Sequence, residues 1–112
     1  MQIGIATIEN HLRSDIDMYF GRANCFCIYN RDAGNYVFIE NPAKNDKANH
    51  GLIAAEVMIA NGVKIVVAGR FGIKVSDFFR KNNIQMVIPN KDITLLKFIN
   101  KLTKDQTGFN TP

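Results

Sequence analysis

The sequence predicts an α/β fold built on a mixed five-stranded sheet, in which three antiparallel strands precede two parallel strands. Five short runs have the β-branched and aromatic composition of strands. A turn-type segment joins the second run to the third, whereas helical patterns separate the third, fourth and fifth runs. Because helix-linked strands pair in parallel through right-handed crossovers, the first strand should lie near the centre of the sheet, beside the fourth.

The first three strands are predicted at residues 2–8, 25–29 and 36–39. A polar stretch follows the first strand. Residues 30–35, between the second and third strands, include Asp, Gly and Asn, which supply the backbone angles of a hairpin turn. The second and third strands are therefore predicted to be antiparallel neighbours.

Helices and strands alternate after a Lys- and Asn-rich loop at residues 41–49, which we expect to be mobile. A helix is predicted over residues 50–61, and Gly62 lies where a left-handed C-terminal stop is expected. A buried-type strand at residues 64–68 then leads through a turn at residues 69–72 into a second helix.

The second helix is predicted to end near residues 82–83, and the last strand to cover residues 84–88. Asp92 is the predicted cap of a third helix, whose apolar side chains recur at helical spacing. Residues 1–104 thus form one predicted domain. The polar residues 105–112 are expected to be a disordered tail.

Composition excludes several classes of protein. The 112 residues suit one domain, and the longest apolar stretch, residues 52–60, is too short to span a bilayer. Cys25 and Cys27 are separated by one residue, which argues against a disulfide framework. The N-terminus has no basic start followed by an apolar run, so we expect a cytoplasmic protein.

The net charge of +4 favours anionic partners. Nucleic acid is not the expected partner, because no Lys- and Arg-rich run is interleaved with aromatic residues. This mild basicity is equally compatible with an anionic ligand and with no specific ligand at all.

Four short motifs occur at defined points of the predicted fold. They are Phe20-Gly21-Arg22, Glu40-Asn41-Pro42, His50-Gly51 and Gly69-x-x-Gly72. In this order they resemble the dinitrogenase iron-molybdenum cofactor biosynthesis family over about residues 1–104. The resemblance implies a ribonuclease H-like fold with α/β/α layering, and a protein that binds metal–sulfur clusters. Tyr19, Arg70 and Ile73 differ from the residues common at these positions in the family.

His50 is the first candidate ligand. It lies at a predicted helix N-terminus, where free N–H groups and the helix dipole attract anions and keep the imidazole neutral and able to bind metal. Cluster-binding relatives resemble this arrangement, in which Gly51 follows the histidine. The alternative is that His50 only caps the helix or hydrogen-bonds the loop.

Arg22 and the turn glycines are the other candidates for binding a cluster. Arg22 can bring a guanidinium to an anionic ligand, or else form an ion pair with Asp17 or Glu40 that holds its loop. Gly69 and Gly72 allow the backbone to approach a ligand at the end of a parallel strand, or simply make a tight turn. We also expect Lys44 and Lys47 near His50.

The cysteines are predicted to be core residues. Cys25 and Cys27 should point to the same side of their strand, and thiolates are suitable ligands for iron–sulfur units. A closed site needs about four ligands, however, and only His50 and His11 are available to join them. His11 lies in a polar loop and is expected at the surface.

An enzymatic role is not predicted. Two-metal nucleases need carboxylates that converge on the sheet, including one on the first strand, and residues 2–8 contain none. The glycine turn also lacks the spacing and the Lys-Ser/Thr pair of a P-loop.

The resemblance implies that the chain carries an anionic iron–sulfur-type cluster or an iron-molybdenum cofactor precursor between donor and acceptor proteins. The alternative is a regulatory or protein-interaction module of the same fold without a cluster. The sequence leaves the oligomeric state open.

Overall fold

A computed structural model describes residues 1–46, 50–90 and 93–104 of the chain. The described elements follow the predicted order, with ends that differ by a few residues. They are β1 (Gln2–Thr7), β2 (Cys25–Asn30), β3 (Tyr36–Glu40), α1 (His50–Ala60), β4 (Val63–Val67), α2 (Ile73–Lys81), β5 (Gln85–Val87) and α3 (Leu95–Lys104).

The five strands form one mixed sheet in the order β3-β2-β1-β4-β5. β1 pairs antiparallel with β2 and parallel with β4, and β4 pairs parallel with β5. The prediction that the first strand is central and lies beside the fourth is therefore confirmed. The carboxyl ends of β1, β4 and β5 consequently lie at the same end of the sheet, together with the turns that follow these strands.

Each face of the sheet has its own apolar core. On one face, Met58 of α1 and Phe79 of α2 pack with Phe26 and Val66 of the sheet. On the other face, the apolar side of α3 packs against Ile3, Ile5, Cys27, Ile65 and Val67. The sheet thus lies between two helical layers, α1 with α2 and α3 alone.

Local turns follow the sequence signals. Gly62 ends α1 with a φ of 69°, and Gly34 takes a φ of 79° in the β2–β3 turn. The Asn30 side chain accepts hydrogen bonds from the N–H groups of Asp32 and Ala33 in that turn. These left-handed and side-chain-bonded positions produce the antiparallel hairpin that the sequence predicts.

Thr94 supplies a side-chain cap at the start of α3, since its Oγ1 accepts a hydrogen bond from the N–H of Lys97 at 3.3 Å. Asp92, the predicted cap, lies outside the described residues, as do residues 47–49 of the predicted mobile loop and residues 105–112 of the predicted tail. Within the described residues, no helix has both the length and the apolar character needed to cross a membrane.

Candidate functional site

Three chain segments line a cavity of about 360 Å³ at the carboxyl ends of the parallel strands. The segments are the loop before β2, the start of α1 and the turn between β4 and α2. The lining residues are Tyr19, Phe20, Gly21, Arg22, His50, Gly51, Arg70, Gly72 and Val75. No Asp or Glu is among them, so the cavity presents cationic, aromatic and backbone groups to a ligand.

Phe20 anchors the first wall of the cavity. Its ring is 2% exposed and lies 5.3 Å from the rings of Phe26 and Phe79, centroid to centroid. Its N–H donates to the carbonyl of Arg70 at 3.1 Å, next to a β-bridge between Tyr19 and Arg70. The buried ring and the bridge therefore fix the loop before β2 against the turn after β4.

Two glycines permit the close approach of the remaining walls. A Cβ on Gly21 would lie 2.6 Å from Cδ2 of His50 and 2.9 Å from Cα of Gly51. A Cβ on Gly51 would lie 2.6 Å from a methyl group of Val75. Side chains larger than hydrogen at these positions would push α1 away from the loop and from α2.

The His50 ring is held in one tautomer. Its Nδ1 lies 3.1 Å from the carbonyl oxygen of Asp46, and a carbonyl can only accept a hydrogen bond. Nδ1 therefore carries the proton, and Nε2 of the neutral ring keeps its lone pair. Metal-binding histidines commonly have their second nitrogen oriented by such a bond, so the half-buried ring is suited to ligation through Nε2.

Arg22 and Arg70 supply positive charge at the cavity. Both are exposed, and neither forms an ion pair with another described residue. The alternative ion pair of Arg22 with Asp17 or Glu40 is therefore absent. Two guanidinium groups without carboxylate partners, both lining the cavity, provide the field that attracts an anion.

The start of α2 adds backbone donors to the cavity. Gly72 is its N-cap, and no side chain forms a capping hydrogen bond there. The first turn of α2 contains no acidic residue, so the positive end of the helix dipole is not neutralised locally. Gly72 has open space around the position of a Cβ, and an incoming ligand has access to this helix end.

Asn41 ties the cavity wall to the loop after β3. Its side chain is 1% exposed, and its Nδ2 donates to the carbonyls of Gly21 and Ala23 at 3.0 and 2.9 Å. Its Oδ1 accepts from the N–H of Ala43 at 3.0 Å. The Glu40-Asn41-Pro42 motif thus positions the backbone of the Phe20-Gly21-Arg22 motif.

The family model described as "Dinitrogenase iron-molybdenum cofactor" matches residues 1–105. The chain belongs to this family. The sequence prediction of the family is confirmed, and the family description ties the chain to a cofactor-related accessory role.

Two solved structures show the same fold as this family member. The apo form of the orange protein from Desulfovibrio gigas is 19% identical, with a TM-score of 0.85, and the match covers 94% of this chain and 88% of that one. A Thermotoga protein provisionally called a NifB protein is 18% identical, with a TM-score of 0.77 and coverage of 92% and 87%. No curated protein sequence matches the chain at a significant level.

The fold brings together most of the predicted site residues of this family member. Arg22, His50, Gly51 and Gly72 all line the cavity, whereas Gly69 does not. Gly69 instead lies against Met18, where a Cβ would come within 2.9 Å of the Met18 Cα.

Lys44, predicted near His50, lines a different cavity. The turn after Asn41, closed by hydrogen bonds from Lys44 N–H to Asn41 and from Asp46 N–H to Ala43, places Lys44 beside Glu40 and Cys25 at a separate cavity of about 240 Å³. Lys47 lies outside the described residues.

Tyr19 and Arg70 also line the candidate site, although the sequence did not predict them there. Both are departures from the family pattern, although each lies within or beside a motif. Their bridge across the cavity is a long-range contact, and the signal available in the sequence was a second arginine inside the Gly69-x-x-Gly72 turn.

The two cysteines are core residues, as predicted. Cys25 and Cys27 are 5% and 0% exposed, and both are free thiols. Burial, together with the nearby Cys25, raises the pKa of Cys27 to about 12. The Cys27 thiol therefore stays protonated at neutral pH and is a poor metal ligand. Thr7 Oγ1 lies 3.2 Å from the Cys25 sulfur and forms a hydrogen bond with it.

A simple metal-ion site is absent from the part of the chain that the structure describes, because no three His, Cys, Asp or Glu side chains converge there. His11 is at the surface, as predicted, with its Nε2 3.5 Å from a Glu9 carboxylate oxygen. The residues around His50 therefore fit a cluster that brings its own sulfide ligands better than a bare ion.

A larger cavity, of about 620 Å³, lies at the opposite end of the sheet. Its lining includes Met1, Asp32 and the β2–β3 turn, and Asp32 there pairs with the N-terminal ammonium group. It contains no His or Cys. This cavity is larger than the one around His50, but it contains an aspartate and no histidine or cysteine. The His50 cavity, with its imidazole and two arginines, is the better candidate site for an anionic metal cluster.

Proposed function

We propose that the chain binds an anionic iron–sulfur-type cluster, or an iron-molybdenum cofactor precursor, in the cavity around His50 and carries it between donor and acceptor proteins. The observation that carries this proposal is the convergence of Arg22, Arg70 and a tautomer-fixed imidazole on a cavity without carboxylates. The orange protein is described as an apo form, a term for a protein without its bound group.

In this proposal each group that lines the cavity has a separate role in binding the cluster. His50 Nε2 ligates one metal of the cluster, and the guanidinium groups neutralise its negative charge. Backbone N–H groups at the start of α2, next to Gly72, would donate hydrogen bonds to the bound cluster. The proposed role is carriage, and β1 contains no carboxylate of the kind that a two-metal nuclease needs. The ribonuclease H-like assignment stays a prediction, supported by the strand order with helices on both faces.

Anaerobic reconstitution tests the proposal. Wild-type protein incubated with ferrous iron and sulfide should gain visible absorption and retain iron after desalting. Arg22→Gln/Arg70→Gln should retain at least tenfold less iron, roughly 1.4 kcal/mol of binding free energy. Arg13→Gln/Arg31→Gln is the matched control, because it removes the same charge from arginines outside the cavity.

The salt dependence adds an independent readout. Retention by wild type should fall as ionic strength rises, because the guanidinium groups are exposed to solvent. Wild-type protein that stays colourless and free of iron would contradict the proposal and favour the regulatory or protein-interaction module.

A further inference from the structure

β3 is an exposed edge strand of the sheet. It is the outermost strand on its side, and its residues Tyr36 and Val37 are 42% and 58% exposed. Among the described residues, β3 pairs with β2 alone. An edge strand of this kind presents unpaired N–H and C=O groups to any strand that can lie beside it.

The direction of these free groups follows from the bonds at the two ends of the β2–β3 ladder. Asn30 N–H donates to Asn35 at 2.8 Å, and Asn41 N–H donates to Asn24 at 3.1 Å. Hydrogen-bonded and non-bonded pairs alternate in an antiparallel ladder. Val37 and Ile39 therefore bond to β2, and the backbone groups of Tyr36, Phe38 and Glu40 point outward.

The opposite edge of the sheet differs in its protection. β5 has only three residues, and short edge strands resist strand addition. β3 has five residues, contains no Lys or Pro, and pairs with β2 without a bulge. Its one charged residue is Glu40, at its end.

We propose that β3 pairs antiparallel with β3 of a second copy of this chain, around a two-fold axis at Phe38. In this register Phe38 lies opposite itself, and Tyr36 lies opposite Glu40 of the second copy. Each outward N–H and C=O of these three residues then meets a partner, which extends the five-stranded sheet to a ten-stranded one across the dimer.

Side chains are compatible with this register. Val37 lies opposite Ile39 of the second copy, so two exposed or half-buried apolar side chains cover each other. Glu40 lies opposite a tyrosine, so no like charges meet. Two five-residue strands bury less surface than a standard stable interface, and the dimer is therefore weak and concentration-dependent.

Charge substitutions at Tyr36 and Glu40 test the register. Tyr36→Glu places two carboxylates opposite each other twice per dimer, and it should weaken self-association by about fivefold or more. Tyr36→Glu/Glu40→Lys restores opposite charges in the same register and should recover association. Ile88→Lys, at a 65% exposed position beside β5, is the matched control and should leave association unchanged.

Sedimentation velocity of the full chain over a wide concentration range provides the measurement, with circular dichroism to verify that each variant is folded. The expected result is a wild-type dimer that Tyr36→Glu weakens and the double variant recovers. A wild type that stays monomeric at every concentration would overturn the proposal. So would a dimer that Ile88→Lys weakens as strongly as Tyr36→Glu, or one that the double variant fails to recover.

Discussion

The His50 cavity and the cysteine pair of β2 both carry side chains with affinity for metals, and they differ in access and charge. The His50 cavity is open, lined by two exposed arginines, and has a single imidazole. The cysteine pair of β2 offers two softer ligands, but both thiols are buried and Cys27 stays protonated. The comparison teaches that access and local field, rather than the softness of a ligand alone, decide where an anionic cluster can bind.

The largest expected effect on stability comes from Phe20, which anchors the first wall of the cavity. Phe20→Ala should lower the free energy of unfolding by about 3–5 kcal/mol, because it removes a ring packed against three other phenylalanines. Urea unfolding followed by circular dichroism measures this loss. Phe78→Ala is the control at a half-buried ring and should cost less. Equal losses would show that Phe20 has no special role as an anchor.

Removing both thiols separates the two regions most clearly. Cys25→Ala/Cys27→Ala should lose about 1–2 kcal/mol per site, because each truncation deletes little volume from the core. Iron retention after reconstitution should match that of wild type, since neither thiol lines the His50 cavity. Complete loss of iron in a double variant that stays folded would move the site to β2.

Asn41 links the cavity to the neighbouring loop through donated hydrogen bonds. Asn41→Asp replaces the amide donor by a carboxylate that faces the carbonyls of Gly21 and Ala23. The expected loss of stability is about 2 kcal/mol, measured by urea unfolding. Asn24→Asp is the control, because exposed Asn24 donates from Nδ2 to one carbonyl only, that of Ile8. An Asn41→Asp variant as stable as Asn24→Asp would contradict the positioning role.

The buried thiol also predicts a dependence of stability on pH. Burial raises the pKa of Cys27 from 9.0 to about 12, so the folded state holds a proton that the unfolded state releases first. This contribution is complete below the unfolded pKa and is lost as pH rises towards the folded pKa. Between about pH 8 and about pH 10, wild type should lose about 1.4 kcal/mol more than Cys27→Ala. Parallel losses in the two proteins would contradict the burial of a protonated thiol.

Much of the fold follows from local sequence signals. The hairpin at residues 30–35 and the end of α1 at Gly62 depend on turn residues whose backbone preferences are local. The parallel pairing of β1 with β4 follows from the helix between them. These features need no knowledge of distant contacts, and they agree with the prediction.

The site is less accessible to sequence reasoning, because it depends on contacts between distant segments. The role of Arg70 follows from its bridge to Tyr19, and the position of Lys44 follows from the turn that Asn41 organises. The Tyr19–Arg70 contact has no periodic or local signal. The turn at Asn41 is local, but its sequence does not show which cavity Lys44 lines. The motifs indicate His50 and Arg22, whereas the orientation of the imidazole by Asp46 depends on the folded loop and has no motif.

The most direct test of cluster binding at the His50 cavity compares two histidines. Wild type, His50→Ala and His11→Ala would be titrated anaerobically with ferrous iron and sulfide, and the bound iron measured after equilibrium dialysis. His50→Ala should fold normally and bind at least tenfold more weakly, roughly 1.4 kcal/mol, whereas exposed His11→Ala should match wild type. If wild type binds the cluster and His50→Ala binds it equally well, the cavity around His50 is not the site.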